Sequence, residues 1–539
     1  GGEKMKVSEL LSQVYNGTIV LPDFQRSFIW EPEDVRELLV SVLGGYFIGS
    51  MLVLECLRDE SPFALRLIEG VEKVNKSAQI QSIVKILLDG QQRTSALFYA
   101  LYEPNMPLKN RKNPYRFYID LDKALKGEWN DAVIAISVKD KKTLSEIKNN
   151  PNIIPFSDFR DIEKAIEKYE DHPRLSGIIQ LVNKFLNREI HIVSLPGETD
   201  LERIVETFER INRTGEPLSI FELLTAKLYK DGIKLRDLWE NAKENYDFAE
   251  FVSPEFVLKV IALLRGKEPK RKNILELSSE DFAKDWERAC GALEAAYKRT
   301  IDIKNGYGVL EFKKWMPYTT MLVPLAAVID FIEADKKDKK ANKLNTASNY
   351  DKIDRWYWTS VFSNRYDQAA DTKSKHDFDA LKDWINDDNK VPDFIQKFNF
   401  NSIDLDTDKQ SSAIYRGVIS MIVLQGALDF KTGQPPQFDK GKIQDDHIFP
   451  KSVFKEHSNI NDIANRTLIS TNVEKSNKKP SEYFNELLAK HGKKKLLKIL
   501  KSHLIPEDAL DDLLKDDFQN FVKKRKQAII NNLHELIKV

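Results

Sequence analysis

Two adjacent residues late in the chain, Asp446 and His447, could together carry out metal-assisted hydrolysis. They lie in QDDHIFPKSVF (444–454), in a chain of 539 residues with only 8 histidines. A carboxylate binds a hard divalent cation, and a histidine can take a proton from a water molecule. Neighbours on a strand point to opposite faces, so the two side chains can have separate roles. An isolated Asp-His pair is weak evidence, because a surface or core histidine is the more common case.

The residues that follow predict the elements that would complete such a site. NRTLIS (465–470) predicts a second short strand, which Asn465 opens. Asn472 is predicted to start the next helix, and Asn477 and Pro480 follow it. A strand with Asp-His, a second strand and a helix with an amide ligand would form a ββα-metal site. This combination suits phosphodiester hydrolysis, which needs a cation at the phosphate and a base for water.

A second informative segment, LLDGQQRTSAL (87–97), predicts a strand, a tight turn and a helix. Backbone N–H groups at a helix N-terminus favour an anion, and an arginine adds a bidentate phosphate donor. The two glutamines offer amides to a ribose, a base or an attacking water. The candidate binding residues here are Asp89, Gly90, Gln91, Gln92 and Arg93.

Two other segments add polar residues to this candidate site. LPDFQR (21–26) supplies Gln25 and Arg26, and FERINRTGEPLSIFELL (208–224) supplies Asn212 before a helix with capping-box spacing. Each piece alone could be an ordinary turn or a surface ion pair. The chain contains neither a Walker A sequence nor GxGxxG, so a phosphate site would be of a different kind.

The late segments DDHIFPKSVF, NRTLISTN and KSNKKPSEYF resemble the HNH nuclease in the D half of GmrSD-type restriction enzymes, over about residues 440–485. The resemblance implies His447 as general base and Asp446 as first metal ligand. It also implies Asn472 as the helix ligand, with Asn477 as the alternative, and Asn465 as the brace of the base-bearing loop. The implied cation is Mg²⁺ or Mn²⁺.

The three earlier segments resemble, in the expected order, the S half of the same GmrSD-type proteins, over about residues 15–230. This half has a ParB- and sulfiredoxin-like nucleotide fold, in which DGQQR is associated with nucleotide binding and hydrolysis. The resemblance therefore implies GTP or ATP as a ligand and NTPase activity in the N-terminal region.

The expected fold is multidomain α+β. Residues 1–230 predict a ParB/sulfiredoxin-like α/β domain, residues 231–410 a helical connecting domain, and residues 411–539 an HNH ββα-metal domain with a helical tail. The aromatic segment RWYWTSVFSNRYD (355–367) is more typical of a helix core than of a base-stacking surface.

Composition limits the class of protein. Hydrophobic residues make up 42% and charged residues 31%, as in ordinary globular proteins. No apolar run reaches the roughly 18 residues of a membrane span. Two cysteines and no signal-peptide core in GGEKMKVSEL predict a cytoplasmic protein. Net charge is zero, so DNA would be held by local patches such as KKKLLKILKSH (493–503) and KKRK (523–526), either of which could be only a solvated face.

The two resemblances imply an NTP-regulated, metal-dependent DNA endonuclease of type IV (modification-dependent) restriction or related anti-phage defence. DNA, including modified phage DNA, and a nucleoside triphosphate are the expected partners, and homo-oligomer formation stays open. One alternative is a DNA- or nucleotide-sensing binding module whose HNH element is inactive. Another is an NTP-dependent toxin nuclease.

Overall fold

Two units make up the computed structural model, Gly1–Arg236 and Asp237–Val539. The structure describes residues 2–23, 28–211, 219–334, 344–436, 443–470 and 477–537. The first unit ends close to the predicted boundary at residue 230. The predicted helical region and the predicted nuclease region belong to one unit, so the sequence division at residue 410 does not coincide with a division in packing.

A mixed six-stranded sheet forms the centre of the first unit, in the order β1-β9-β3-β5-β2-β4. β2 pairs with β5 in parallel and β3 pairs with β9 in parallel, whereas the other neighbours are antiparallel. A separate three-stranded sheet has the order β7-β6-β8. The strands are β1 Glu3–Lys6, β2 Ile19–Pro22, β3 Ser50–Leu57, β4 Leu65–Arg66, β5 Ile83–Asp89, β6 Tyr115–Asp120, β7 Val133–Ser137, β8 Ile153–Pro155 and β9 Glu189–Pro196.

Helices cover the sheets, and the apolar sides of α1, α2, α4 and α9 join the strands in one core. The first-unit helices are α1 Val7–Tyr15, α2 Pro32–Gly44, α3 Val71–Val74, α4 Gln91–Tyr102, α5 Leu121–Leu125, α6 Trp129–Ala132, α7 Lys141–Lys148, α8 Ile162–Lys168, α9 Leu175–Leu186, α10 Leu201–Ile211 and α11 Ile220–Lys230. The next helix, α12 Leu235–Asn245, contains the boundary between the units.

The start of α2 follows its sequence signals, but the strand after it does not. Pro32 occupies the first turn, and Glu31 and Asp34 form a capping box. The apolar run FIGSMLVL (47–54) predicts a buried strand, but β3 begins only at Ser50. Gly45 and Gly49 have φ values of 73° and 83°, which is left-handed backbone that does not continue a strand. Residues 45–49 therefore form a tight connection, here called the 45–49 loop.

The second unit is mostly helical, and its two described strands form one hairpin. Trp356, Tyr357 and Trp358 of α18 are buried, which confirms the prediction of a helix core. The helices are α13 Glu255–Leu264, α14 Arg271–Leu275, α15 Phe282–Ile301, α16 Phe312–Trp315, α17 Leu322–Glu333, α18 Ala347–Phe362, α19 Ala370–Asn386, α20 Asp393–Gln396, α21 Ala413–Leu424, α22 Pro480–His491, α23 Lys493–Lys501, α24 Leu510–Leu514 and α25 Phe518–Leu536.

The hairpin consists of β10 Ile443–His447 and β11 Arg466–Ser470, paired antiparallel with His447 opposite Arg466. The prediction that Asn465 opens β11 is wrong by one residue. Asn465 lies in the short 3₁₀ turn Ile463–Asn465, and β11 begins at Arg466. The helix expected to start at Asn472 begins at Pro480, since proline favours the first helical turn. Asn472 itself lies outside the described residues.

Across the described ranges, none of the helices combines the length and apolarity needed to cross a bilayer.

Candidate functional site

The imidazole of His447 is held at the end of β10 by two polar neighbours. Its Nε2 lies 2.8 Å from Asn461 Oδ1 and 3.3 Å from Arg466 Nη1. Arg466 is the cross-strand partner of His447, so the hairpin register itself brings the two side chains together. The ring orientation is therefore set by β11 and by the loop that precedes it.

Asp445, two residues before His447, anchors the same face of the strand. Its side chain is only 4% exposed and accepts hydrogen bonds from Arg466 Nη2 at 2.9 Å and from Gln410 Nε2 at 2.9 Å. The Tyr415 hydroxyl also donates to it. Although burial raises the pKa of Asp445, these donors and the Arg466 charge bring that pKa below its ordinary value. Asp445 thus stays ionised as a structural anchor.

Asp446 has a different environment from Asp445. Within the described contacts its carboxylate accepts no hydrogen bond, and it borders an open cavity of about 500 Å³. The residues around this cavity are Asp446, His447, Pro450, Lys451, Ser452, Lys455 and Asn477. The two residues predicted to carry the chemistry therefore meet at one cavity.

Asn465 fixes the segment that follows His447. The side chain is fully buried, and its Oδ1 accepts a hydrogen bond from the Phe449 N–H at 2.8 Å. Its Nδ2 donates to the carbonyls of Phe449 at 3.0 Å and Ile460 at 2.8 Å, while its own carbonyl accepts from Ile448 N. One amide side chain thus joins the segment after β10 to the loop before β11.

The donor set suits a magnesium-type ion bound mainly through substrate and water. No group of three or more His, Cys, Asp or Glu side chains with metal-ligand geometry occurs among the described residues. Asp446 supplies one carboxylate, and Asn477 supplies an amide at the same cavity. Mg²⁺ usually takes one or two carboxylates and keeps several waters, so this set fits it, whereas it is too small for a closed structural metal site.

A buried arginine supports the hairpin from α25. Arg525 is inaccessible to solvent, and its guanidinium donates to the carbonyls of Ala464 and His503, each at 2.9 Å. Burial lowers the pKa of Arg525 to about 9. Lys524 and Lys526 pair with Asp512 and Asp406, so within the described contacts only the exposed Lys523 of the KKRK run lacks an ion pair among its lysines.

The DGQQR segment of the first unit has the predicted strand, turn and helix. Gly90, with φ of 96°, connects β5 to α4, and its N–H donates to Asp89 Oδ1 at 2.9 Å. Arg93 turns back toward β3, donating to the carbonyls of Ile48 and, at 2.9 Å, Ser50. Its Nη2 lies 3.8 Å from Asp89 Oδ2. The guanidinium is thus committed to the protein backbone, which the sequence does not indicate.

Burial perturbs both charged residues of this segment. It raises the pKa of Asp89, while the Arg93 charge and the Gly90 N–H act in the opposite direction. Burial also lowers the pKa of Arg93, whereas the charge of Asp89 raises it. This half-buried pair lies at a helix N-terminus, and perturbed pKa values of this kind cluster at functional sites.

The remaining predicted residues of this site divide into two groups. Gln92 Oε1 accepts a hydrogen bond from Ile29 N at 3.0 Å, and the half-buried Gln91 follows Gly90 directly. Gln25, Arg26 and Asn212 lie outside the described residues, so the structure does not test whether they join Asp89 and Arg93.

The first unit matches a known protein family. Residues 7–229 match the family model of the GmrSD restriction endonuclease, N-terminal domain. The chain therefore carries the N-terminal domain of the GmrSD-type restriction endonuclease family. A GmrSD-type assignment indicates a nuclease function with DNA as the partner.

The chain is also similar to the uncharacterized protein MJ0686 of Methanocaldococcus jannaschii. The two are 30% identical over 592 aligned positions, which cover 98% of each chain. The similarity therefore continues past residue 229 and includes the second unit of this GmrSD-type chain.

Sequence reasoning missed the residues that hold His447 in place. Asn461 and Tyr415 lie outside the quoted segments. Asp445 and Arg466 lie within them, but their residue types alone do not indicate these contacts. Only the register of the hairpin, with His447 opposite Arg466, could have indicated one of these contacts in advance.

We expect Asn465→Ala to destabilise the second unit by about 2–4 kcal/mol, because two buried backbone groups of Phe449 lose their partner. Chemical denaturation followed by tryptophan fluorescence measures this. Asn485→Ala, which removes an exposed asparagine of α22, is the control and should change the free energy by less than about 0.5 kcal/mol. Equal effects of the two variants would contradict the bracing role.

Asp462 gives a pH dependence to the stability of this region. It is 8% exposed, and burial together with the charge of Asp406 raises its pKa from 3.8 to about 6. Between these pH values the folded carboxyl keeps a proton that the unfolded chain has released. Its contribution to stability is therefore full below pH 4 and is lost as pH rises through 6.

Asp462→Asn removes this titration, so we expect a gain of about 1–2 kcal/mol at pH 7 relative to the parent protein. Urea unfolding at intervals from pH 4 to pH 7 measures the difference between the two proteins. The difference should grow with pH up to about 6 and then stay constant. A difference that does not vary with pH would contradict the assignment.

Proposed function

We propose that this protein is a metal-dependent endonuclease that hydrolyses DNA phosphodiester bonds at an HNH site in its second unit. The observation that carries the proposal is the common cavity of Asp446 and His447, on a hairpin that Asn465 braces. Family membership supplies the nuclease class and DNA as the partner. The metal requirement and the HNH chemistry are the proposed part.

In this mechanism, His447 takes a proton from the attacking water, and Asn461 and Arg466 keep its ring in position. Asp446 and Asn477 would hold the divalent cation. A bound Mg²⁺ or Mn²⁺ supplies charge stabilisation at the scissile phosphate. Lys451 and Lys455 are exposed at the same cavity and make no ion pair within the described contacts, so they are suited to neighbouring phosphates.

We further propose that the first unit binds a nucleoside triphosphate near Asp89 and the N-terminus of α4. The strand, turn and helix arrangement and the half-buried Asp89–Arg93 pair support this site. Since Arg93 donates to the backbone of the 45–49 loop, its proposed role is to hold that loop beside the nucleotide. Regulation of cleavage by GTP or ATP, and a type IV role in anti-phage defence, belong to the same proposal.

We expect His447→Ala to lower DNA cleavage by at least about 100-fold while the protein stays folded, because the general base is lost. Plasmid nicking and the unfolding free energy are measured on the same preparation. His191→Ala, at an exposed histidine of β9, is the matched control and should leave cleavage unchanged. A His447→Ala protein that fails to fold would indicate a structural histidine, and undiminished cleavage would remove His447 from the mechanism.

We expect Asp446→Asn to abolish metal-dependent cleavage, because the variant lacks the carboxylate ligand of the cation. EDTA should have the same effect on the parent protein, because it removes the cation. Nicking assays with Mg²⁺ and Mn²⁺ titrated separately test this. Cleavage that persists in EDTA would rule out a metal-assisted mechanism.

We expect Arg93→Ala to weaken nucleotide binding about ten- to a hundredfold, because charge-assisted hydrogen bonds that fix the site are lost. Isothermal titration with GTP and with ATP measures the affinity, and nicking assays on the same protein measure coupling. Arg116→Ala, which breaks the ion pair with Glu103 in the same unit, is the control. Unchanged affinity would refute the site, whereas weaker binding with unchanged cleavage would refute only the coupling.

A further inference from the structure

The 45–49 loop holds two aromatic side chains out in solvent. Phe47 is 83% exposed and Tyr46 is 59% exposed, and Phe47 has the highest exposure among the large hydrophobic residues that the structure describes. A single exposed apolar residue needs no explanation. Two successive exposed aromatic side chains on a well-held backbone form a candidate binding surface.

Several hydrogen bonds fix this backbone. Tyr46 N donates to Ser41 O at 3.0 Å, and the guanidinium of Arg188 donates to the Tyr46 carbonyl. On the other side of Phe47, Arg93 holds the carbonyls of Ile48 and Ser50. A side chain at Gly49 would clash with the Arg93 guanidinium, so the close approach requires glycine. Because this backbone is already ordered, binding a partner through the Phe47 ring would cost little backbone entropy.

The DGQQR segment positions a second apolar residue in the same way. Gln92 accepts the N–H of Ile29, whose side chain is 38% exposed. Consecutive residues of one motif, Gln92 and Arg93, therefore bind the backbone beside exposed apolar side chains. The motif acts as a support for these side chains as well as a helix N-terminus.

Two cations accompany the aromatic pair. Arg188 bonds to Tyr46, as described, and Lys184 lies four residues earlier on the same helix end. Lys184 Nζ is 4.4 Å from the centre of the Trp129 ring, and Trp129 lies beside Gly44. Neither cation forms an ion pair within the described contacts. Exposed aromatic rings beside unpaired cations match the two parts of a nucleic-acid strand, its bases and its phosphates.

We propose that Tyr46 and Phe47, with Lys184 and Arg188, form a DNA-docking surface on the first unit that stacks a base standing outside the duplex. The geometry that carries this is an aromatic pair whose backbone is held by Arg93 and Arg188, with Lys184 on the neighbouring Trp129 ring. The occupant is DNA because the family acts on DNA and because the surface combines stacking rings with positive charge. The surface goes beyond the catalytic cavity and does not depend on cleavage.

The test measures binding by the full chain carrying His447→Ala, without metal, so that the DNA stays intact. Fluorescence anisotropy compares a labelled 20-nucleotide single strand with an abasic strand of equal length. Phe47→Ala should weaken binding of the normal strand about 5- to 100-fold, while Phe47→Trp should retain it. Binding of the abasic strand should not change, since it has phosphates but no bases.

Two further variants separate the contributions. Tyr229→Ala removes another exposed aromatic of this unit and should have no effect on DNA affinity. Lys184→Gln should weaken the binding of both strands. It should also lower the slope of log affinity against log salt concentration by about one unit. Because the assay needs no cleavage, loss of the stacking effect and loss of nuclease activity are separate failures.

Equal affinity of Phe47→Ala and its parent for the normal strand would overturn the proposal. If the variant instead weakened GTP or ATP binding with DNA affinity unchanged, the surface would be part of a mononucleotide site. If it altered only the sedimentation coefficient, the surface would be an interface between copies of this chain. Each of these results contradicts a DNA-docking surface.

Discussion

The candidate catalytic hairpin depends on a single buried amide. Asn465 satisfies both backbone groups of Phe449, and it also binds the carbonyl of Ile460. A buried backbone group without a partner is costly, so the segment after β10 has one stable position. This constraint fixes the backbone directly after His447 and the backbone at Ile460, next to Asn461. The proposed proton transfer therefore depends on a residue that does not border the cavity.

Local sequence signals predicted the elements, and tertiary packing decided how they are used. Periodicity and a turn glycine predicted β5, the Asp89-Gly90 turn and α4, because these depend on neighbouring residues. The strand position of Asp446 and His447 was predictable for the same reason. The contact of His447 with Asn461 was not, because a loop conformation sets it. Nor could the sequence show that Arg525 is buried, since its neighbours in KKRK are all cations.

Arg93 illustrates the same limit in the first unit. The sequence places a cation at the first turn of α4, where a phosphate would be favoured. The folded chain directs this cation to carbonyls about 45 residues earlier, at Ile48 and Ser50. A motif that is read as ligand-binding therefore also serves as a structural clamp. Its effect on nucleotide and on DNA would pass through the 45–49 loop.

The buried guanidinium of Arg525 has a consequence for the order in which the protein matures. It binds the carbonyl of Ala464, 61 residues earlier, at the turn that delivers Asn465 to the hairpin. During synthesis on the ribosome, β10 and β11 emerge well before α25. The turn cannot reach its final hydrogen bonding until that helix has been translated and has docked. A nascent chain that lacks α25 is therefore expected to lack the final geometry of the hairpin that carries Asp446 and His447.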